Sequence, residues 1–402
     1  MVVVPAAVEG ASLAVALLPF LQHRWDMYRW DRDHRHEHLP KGTNHVEMLT
    51  LLLPVWNEAT IIEKKLANLA DQGVSARLVI IDSASTDTTV QRARDWLKAH
   101  PSAFESYELL EMAQRKGKTA AVQQALKHIN DALKTDLILM TDADAMFEAE
   151  TVPKLLPWFS DPSIGCVGAT PKRLGQRMEE AEHRAMFSFV RTLESRIDST
   201  PFLEGSCMVW RREALDVEAL NVQSNADDAQ IATNVRINGL RSIQDEGACF
   251  IDHAPIQRKE HSRQKVRRAQ GLQRHLLRQR THWFNRRHGR FAATLRQEAA
   301  LHLLTPLLLL GTFVTMLARW ASIGFAEIDF SNATLTTMHV GLFVAEAIAF
   351  ASWLSVRYGI RIPLFSQLGI ILDGNIQLLK ALWKSARGTS LHMWDQHLDG
   401  RN

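Results

Sequence analysis

Two hydrophobic rhythms divide this chain. Between residues 46 and 256, short runs rich in Leu, Ile and Val alternate with segments of helical period. MLTLLLPV, ARLVIID, SYELLEM, DLILMTDAD and GCVGATP predict strands. TIIEKKLANLADQ, TTVQRARDWLKAH and KTAAVQQALKHINDAL predict helices between them. Alternation of this kind predicts an α/β domain, a largely parallel sheet with helices on both faces.

Outside that domain the apolar stretches lengthen. Residues 2–21, 299–321 and 338–356 come close to, or reach, the ~20 residues that cross a bilayer. Pro5, Glu9 and Pro19 interrupt the first, so a helix lying in the interface is the alternative there. Residues 362–383 are broken by Asp373, Asn375 and Gln377 and predict a membrane-embedded or interfacial helix rather than a further span. The chain thus divides into an N-terminal anchor with a basic, aromatic linker (1–45), the α/β domain (46–256), a basic amphipathic interfacial segment (257–298), and a C-terminal hairpin with a membrane-associated helix (299–402).

Charge orients these parts. HRWDMYRWDRDHRHEH follows the first apolar run, whereas a secretory signal carries its cations before it. The positive-inside rule then places the carboxyl end of that run in the cytoplasm. Arg296 precedes the hairpin and Arg357 and Arg361 follow it, while Glu327 and Asp329 lie in its loop, which is therefore expected outside. Between Arg258 and Arg290 there are twelve Arg or Lys and one acid, Glu260. Val266, Ala269, Leu272, Leu276 and Trp283 make one apolar stripe among them, which suits an anionic membrane surface. Nucleic acid is the rival partner for a basic run, but the segment lies between a catalytic-looking domain and the spans. Net charge is only +3, so the whole chain is no polycation. Cys166, Cys207 and Cys249 have no metal-ligand spacing, and their odd count argues against a disulfide framework.

The chemistry is carried by acids. Asp82 and Asp87 lie in VIIDSASTD, Asp142 and Asp144 in LILMTDADAM, and Asp227 and Asp228 in NADDAQIATNVRINGLRS. The first two motifs follow strands, and carboxylates at the carboxyl ends of parallel strands line a ligand crevice. Two aspartates one residue apart suit a hard divalent cation, Mg2+ or Mn2+, that also holds phosphate. A later acidic pair can supply a general base. Each has a plainer reading: Asp82, Asp142 and Asp144 as turn residues, Asp227 as a helix cap, Lys118 as an ordinary first-turn lysine.

In order and content these motifs resemble family 2 glycosyltransferases, with their GT-A nucleotide-sugar domain (a mixed, mainly parallel sheet between helices), and especially the membrane-anchored members related to hyaluronan and cellulose synthases. LLLPVWNE resembles the family's first strand and turn, with Pro54 and Glu58. DSASTD stands where the family usually has DDGSTD, so Asp82 matches the base-recognising aspartate and Ser83 replaces the second. KGKTAAVQQAL matches the lysine and glycine segment, with Lys118. TDAD is similar to the metal motif, with Asp144 as ligand and Asp142 beside it. FLEGSCMVWRREAL resembles the acceptor-side loop, with Glu204, Gly205 and Ser206. ADDAQIATNVRINGLRS resembles the segment whose second acid is the base, Asp228, with Asp227 the alternative. Of the QxxRW motif, Gln264 and Arg267 match and Trp has become Arg268, which puts long-chain polymerisation in doubt.

The resemblance implies a membrane-bound, metal-dependent inverting enzyme with a nucleotide-sugar donor, expected to be a UDP-sugar. The acceptor would be a lipid-linked sugar or a saccharide, in cell-surface glycan or polysaccharide synthesis. It would be multi-pass in the cell membrane with a cytoplasmic catalytic domain. Lys118, Arg267 and Arg263 would add cationic contacts to the diphosphate. A non-catalytic membrane assembly protein that binds a nucleotide-sugar is the alternative.

Overall fold

The computed structural model describes residues 3–34, 40, 42, 48–172, 178–252, 258–324, 332–360, 362 and 365–390. Its first element is one 32-residue helix, α1 (Val3–His34). The helix runs on through HRWDMYRWDRDH, which the sequence pattern assigns to a linker. No Gly or Pro follows Pro19 within it, so nothing there stops a helix.

The α/β part follows. It contains β1 (Leu49–Val55), α2 (Ile62–Ala70), β2 (Arg77–Asp82), α3 (Thr89–Ala99), β3 (Ser106–Glu111), α4 (Lys118–Ala132) and β4 (Leu137–Thr141). Next come β5 (Met146–Phe147), α5 (Thr151–Leu155), β6 (Ile164–Lys172), α6 (Met178–Ile197), β7 (Cys207–Arg211), α7 (Asp227–Ile237) and β8 (Arg241–Ile251). All eight strands form one sheet in the order β3-β2-β1-β4-β7-β6-β8-β5. β3, β2, β1 and β4 run parallel; β7 is antiparallel to both its neighbours, and β8 is parallel to β6. The sheet is mixed, as the resemblance implies, and less purely parallel than the hydrophobic rhythm predicts.

Side chains alternate between two apolar layers, one on each face. Leu51, Leu53, Leu78, Ile80 and Leu139 pack with Leu66 and Leu69 of α2 and Ala93 and Leu97 of α3. Leu52, Val79, Ile81, Ile138 and Met140 pack with Val122, Ala125 and Ile129 of α4 and Ile231 and Val235 of α7. Every residue of β1 and of β4 is buried, which explains their unbroken apolar sequence.

Two strands, one short and one long, were not evident in the sequence pattern. β7 is only CMVWR, and β8, RSIQDEGACFI, carries Gln244, Asp245 and Glu246 in its middle. Its register against β6 shifts twice, which obscures any period of two.

Past the sheet lie α8 (Arg258–Arg278), α9 (Gly289–Ala299), a π-turn at Ala300–Leu304, α10 (Thr305–Gly324), α11 (Ala333–Tyr358) and α12 (Phe365–Ala386). The described residues form two units: one within 29–172 and 184–295, the other within 3–28, 178–183 and 296–390. Three helical stretches, Val4–Asp33, Arg286–Ile323 and Ala333–Tyr358, are long and apolar enough to cross a membrane. α12 is not among them. Glu327, Asp329 and Arg361 lie outside the described residues.

Within the second unit, Glu9 does not oppose a span as the sequence suggests. Its carboxylate accepts from Arg319 Nε of α10 at 2.6 Å, and both side chains are almost fully buried. Arg319 also pairs with Glu346 of α11, which accepts from Trp320 Nε1 at 3.0 Å. Ser12 and Thr312 add a hydroxyl pair at 3.1 Å. A charge in an apolar helix is expected to find such a partner.

Candidate active site

The parallel strands deliver two clusters of acids to their carboxyl ends. At the end of β2, Asp82 is turned onto its own loop, where its carboxylate accepts from Ser85 N at 2.9 Å and from Ser85 Oγ at 2.5 Å. The loop after β1 is locked against it, since Asn57 N donates to Ser85 Oγ and Asn57 Oδ1 accepts from Thr86 N at 2.7 Å. Ala84, at the family's glycine position, holds φ +59°, a left-handed conformation that costs a non-glycine residue roughly 1–2 kcal/mol. Glu58 is buried, and its backbone N–H donates to Thr89 Oγ1 at 2.7 Å. Asp87 caps the same turn by accepting from Thr89 N and Ala59 N. Pro54 lies within β1, opposite Ile81. Pro54, Glu58 and Asp82 therefore belong to a corner of their own.

The second cluster lines an open cleft. Asp142 and Asp144 follow β4, Asp227 and Asp228 begin α7, Glu204, Gly205 and Ser206 precede β7, and Gln264, Arg267 and Arg268 lie on α8. Asp252, after β8, and Arg191, on α6, complete the wall. Asp82 and Asp142 are two strands apart, about 10 Å.

Lys118 is the hub of the cleft. Its Nζ lies 2.7 Å from Asp142 Oδ1 and 3.1 Å from Asp227 Oδ2. Burial works against its charge, but Asp142, Asp227 and Asp228 outweigh burial and hold the ammonium above its ordinary range. Burial likewise opposes charge on Asp142, and Lys118 with Ser206 Oγ, 3.0 Å away, reverses that and keeps it ionised.

Asp228 goes the other way. Burial, then the neighbouring Asp227 and Glu204, push its carboxyl up to about 7, against the pull of Lys118. One oxygen accepts from Ala229 N at 2.7 Å and the other from Gly205 N at 3.4 Å. A β-carbon on Gly205 would stand 3.3 Å from Asp228 Cβ and 3.4 Å from Lys118 Nζ, so glycine lets the loop approach the acid. A carboxyl that titrates near neutrality and faces a cleft has the character of a general base.

On the loop before β7, Glu204 is paired with Arg191 at 2.6 Å. Arg268 is open to the cleft yet ringed by protein. Burial opposes its charge, and Glu204, Asp252, Asp228 and Asp142 together raise its pKa. α8 is seated on the 221–226 loop by Asn225 Nδ2, which donates to Arg267 O at 2.7 Å. A β-carbon on Gly271 would meet Asn225 Oδ1 at 2.6 Å, so this contact needs glycine.

Six carboxylates thus face four cations across the cleft. Among the described residues no three His, Cys, Asp or Glu converge on one metal-sized point. Asp142 and Asp144 alone provide the hard oxygen pair, which fits a divalent cation that takes its remaining ligands from a bound diphosphate and water.

Asp142, Asp144, Lys118, Asp227, Asp228, Glu204, Gly205, Ser206, Gln264 and Arg267 are brought together as the motifs suggest. Arg263 is exposed on α8 and does not line the cleft. Arg191 and Asp252 were not foreseen. A lone arginine on a helix gives no signal, whereas Asp252 ends ACFID, the same strand-then-acid pattern that marks Asp82 and Asp142. Lys65 was also missed. It sits wholly buried in α2, where burial draws its ammonium down to about 7 against the pull of Asp142 and Asp144.

Residues 137–356 match the model of glycosyl transferase family group 2, and residues 50–217 that of glycosyl transferase family 2. Among solved structures, the mannosyltransferase PcManGT from Pyrobaculum calidifontis, in complex with GDP-Man and Mn2+, is 25% identical with a TM-score of 0.73, covering 94% of this chain and 99% of that one. TarS of S. aureus is 15% identical with a TM-score of 0.41 over 68% of this chain and 54% of its own. Glucosyl-3-phosphoglycerate synthase from Mycobacterium tuberculosis, with Mn2+, UDP and phosphoglyceric acid, is 19% identical with a TM-score of 0.39 over 55% and 76%. No curated protein matches the chain. The mixed sheet with its acidic cleft is a GT-A fold, and the chain belongs to glycosyl transferase family group 2.

Proposed function

We propose that this protein is a membrane-bound inverting glycosyltransferase that moves a sugar from a nucleoside-diphosphate donor to a lipid-linked or saccharide hydroxyl at the cytoplasmic face. The observation that carries the reading is the pairing of Asp228, poised near neutrality, with the Lys118–Asp142 contact across one cleft. Asp82 would meet the nucleoside, about 10 Å from the diphosphate end. Asp144 and Asp142 would hold Mg2+ or Mn2+, which when bound supplies positive charge to the leaving diphosphate.

The protein's own residues do the rest. Lys118 keeps its proton in this acidic setting, so it stays cationic beside the phosphates as the glycosidic carbon–oxygen bond breaks. Arg267 and Gln264 add donors from α8. Asp228, with one oxygen fixed by Gly205 N, takes the acceptor hydroxyl's proton through the other. The acceptor oxygen attacks from the face opposite the diphosphate, so the anomeric configuration inverts; a single base suffices, as in inverting glycosidases.

PcManGT, with GDP-Man bound and similar over nearly the full length of both chains, makes GDP-mannose the first donor to try, ahead of the UDP-sugars that the motifs alone suggest. The test is turnover by purified full-length protein with Mn2+ and a panel of GDP- and UDP-sugars, using lipid extract as acceptor. Release of nucleoside diphosphate that is lost in Asp144→Ala and Asp228→Asn supports the reading. Binding of donor without turnover under any acceptor condition would favour an assembly role instead.

A further inference from the structure

The acidic turn after β4 is mounted on one face of α2. Lys65 Nζ donates to Thr141 Oγ1 at 2.8 Å, just before Asp142, and to the carbonyl of Ala145, just after Asp144. It also stands 4.1 Å from the centre of the Phe147 ring. One turn on, Asn68 clasps Phe147 from both sides, Nδ2 donating to its carbonyl at 2.9 Å and Oδ1 accepting from its N–H at 2.7 Å. Another turn on, Gln72 donates to Glu148 O at 3.0 Å and accepts from Val152 N at 3.1 Å. Lys65 and Asn68 share one face of α2, and Gln72 follows in the turn just past its end. Together they satisfy backbone groups on both sides of a turn that has few ladder bonds of its own.

A fully buried lysine is an expensive way to hold a loop, since desolvation of an ammonium costs several kcal/mol. A leucine at this position would fill the layer with Leu66 and Leu69. The arrangement is explained if the 141–148 turn must be rigid in the absence of ligand. We infer that Lys65, with Asn68 and Gln72, is a positioning device that presets Asp142 and Asp144 for a divalent cation. None of the three lines the cleft; they act through the backbone that carries the ligands. The inference rests on the metal reading above.

Two effects of removing Lys65 oppose each other. Losing a cation near the ligands would tighten metal binding, while losing the brace would loosen the ligands and weaken it. Outer partners of metal ligands commonly cost about 10–100-fold in affinity when removed, and Asn68 and Gln72 carry no charge, so they isolate the brace from the electrostatics. The experiment is a titration of the full-length protein with MnCl2 alone, followed by electron paramagnetic resonance of free Mn2+. Wild type, Asp144→Ala, Lys65→Met, Asn68→Ala and Gln72→Ala are compared, with circular dichroism as the control for folding.

The expected result is a Mn2+ dissociation constant raised about tenfold or more in Lys65→Met and Asn68→Ala, with turnover recovered at high Mn2+. Should Lys65→Met fail to fold, Asn68→Ala and Gln72→Ala decide the matter. Wild-type or tighter Mn2+ binding in the folded variants overturns the brace while leaving the metal site standing. Absence of Mn2+ binding by the wild type overturns both.

Discussion

Lys118 Nζ and Asp142 Oδ1 lie 2.7 Å apart, and the contact ties the first residue of α4 to the end of β4. With Asp227 at 3.1 Å, one ammonium separates two carboxylates that would otherwise repel. Lys118→Met should therefore destabilise the metal-free protein by about 3–5 kcal/mol, the usual cost of breaking a buried pair from one side. A divalent cation can replace the missing charge, so MnCl2 should raise the melting temperature of this variant more than that of wild type. Equal shifts in calorimetry would remove Lys118 from the charge balance of the site.

Asp228 sets the pH dependence. Its carboxyl is raised, so it carries the proton below about pH 7 and can accept one only above. The rate of sugar transfer should fall on the acid side with a midpoint near 7 and level off above it. Asp228→Asn should lower kcat by about 10²–10⁴-fold with donor affinity little changed. An unaltered kcat, or no acid limb in a profile from pH 5 to 9, would move the role to Asp227 or elsewhere.

The site was more legible in the sequence than the sheet that carries it. Asp82 and Asp142 stand at strand ends and Asp228 at a helix start, each within a short, distinctive motif that leaves a local mark. Lys65 and Arg191 left none, since what matters about them is the backbone or acid they meet far along the chain. β8 escaped because its twice-shifted pairing with β6 relieves it of strict alternation. Asp82 shows the limit of motif reading: the carboxylate is where the pattern puts it, yet here both its oxygens serve its own turn.

Arg319 should matter more than either acid it meets. Glu9→Gln leaves Arg319 paired with Glu346, whereas Arg319→Leu leaves two carboxylates facing each other. Thermal unfolding in detergent should show Arg319→Leu as the more damaging, by about 3–5 kcal/mol. The reverse order would mean that the pair contributes less than the packing around it.

For topology, a cysteine replacing Ser331, beside Asn332 at the start of α11, should react with an impermeant thiol reagent in whole cells. One replacing Ser102 should react only after lysis. The native Cys166, Cys207 and Cys249 are buried and add little background. The opposite labelling pattern would overturn the cytoplasmic placement of the chemistry.

The pairing of Glu9 with Arg319 also imposes a timetable. The two residues are 310 positions apart. At synthesis rates of roughly 5–20 residues per second, the first helix leaves the ribosome on the order of 15–60 s before its guanidinium exists. Through that interval the nascent helix carries a carboxyl group with no native counterpart. The sheet-bearing residues 49–251 have all been translated before the charge is answered, so the buried pair of the membrane helices forms only after them.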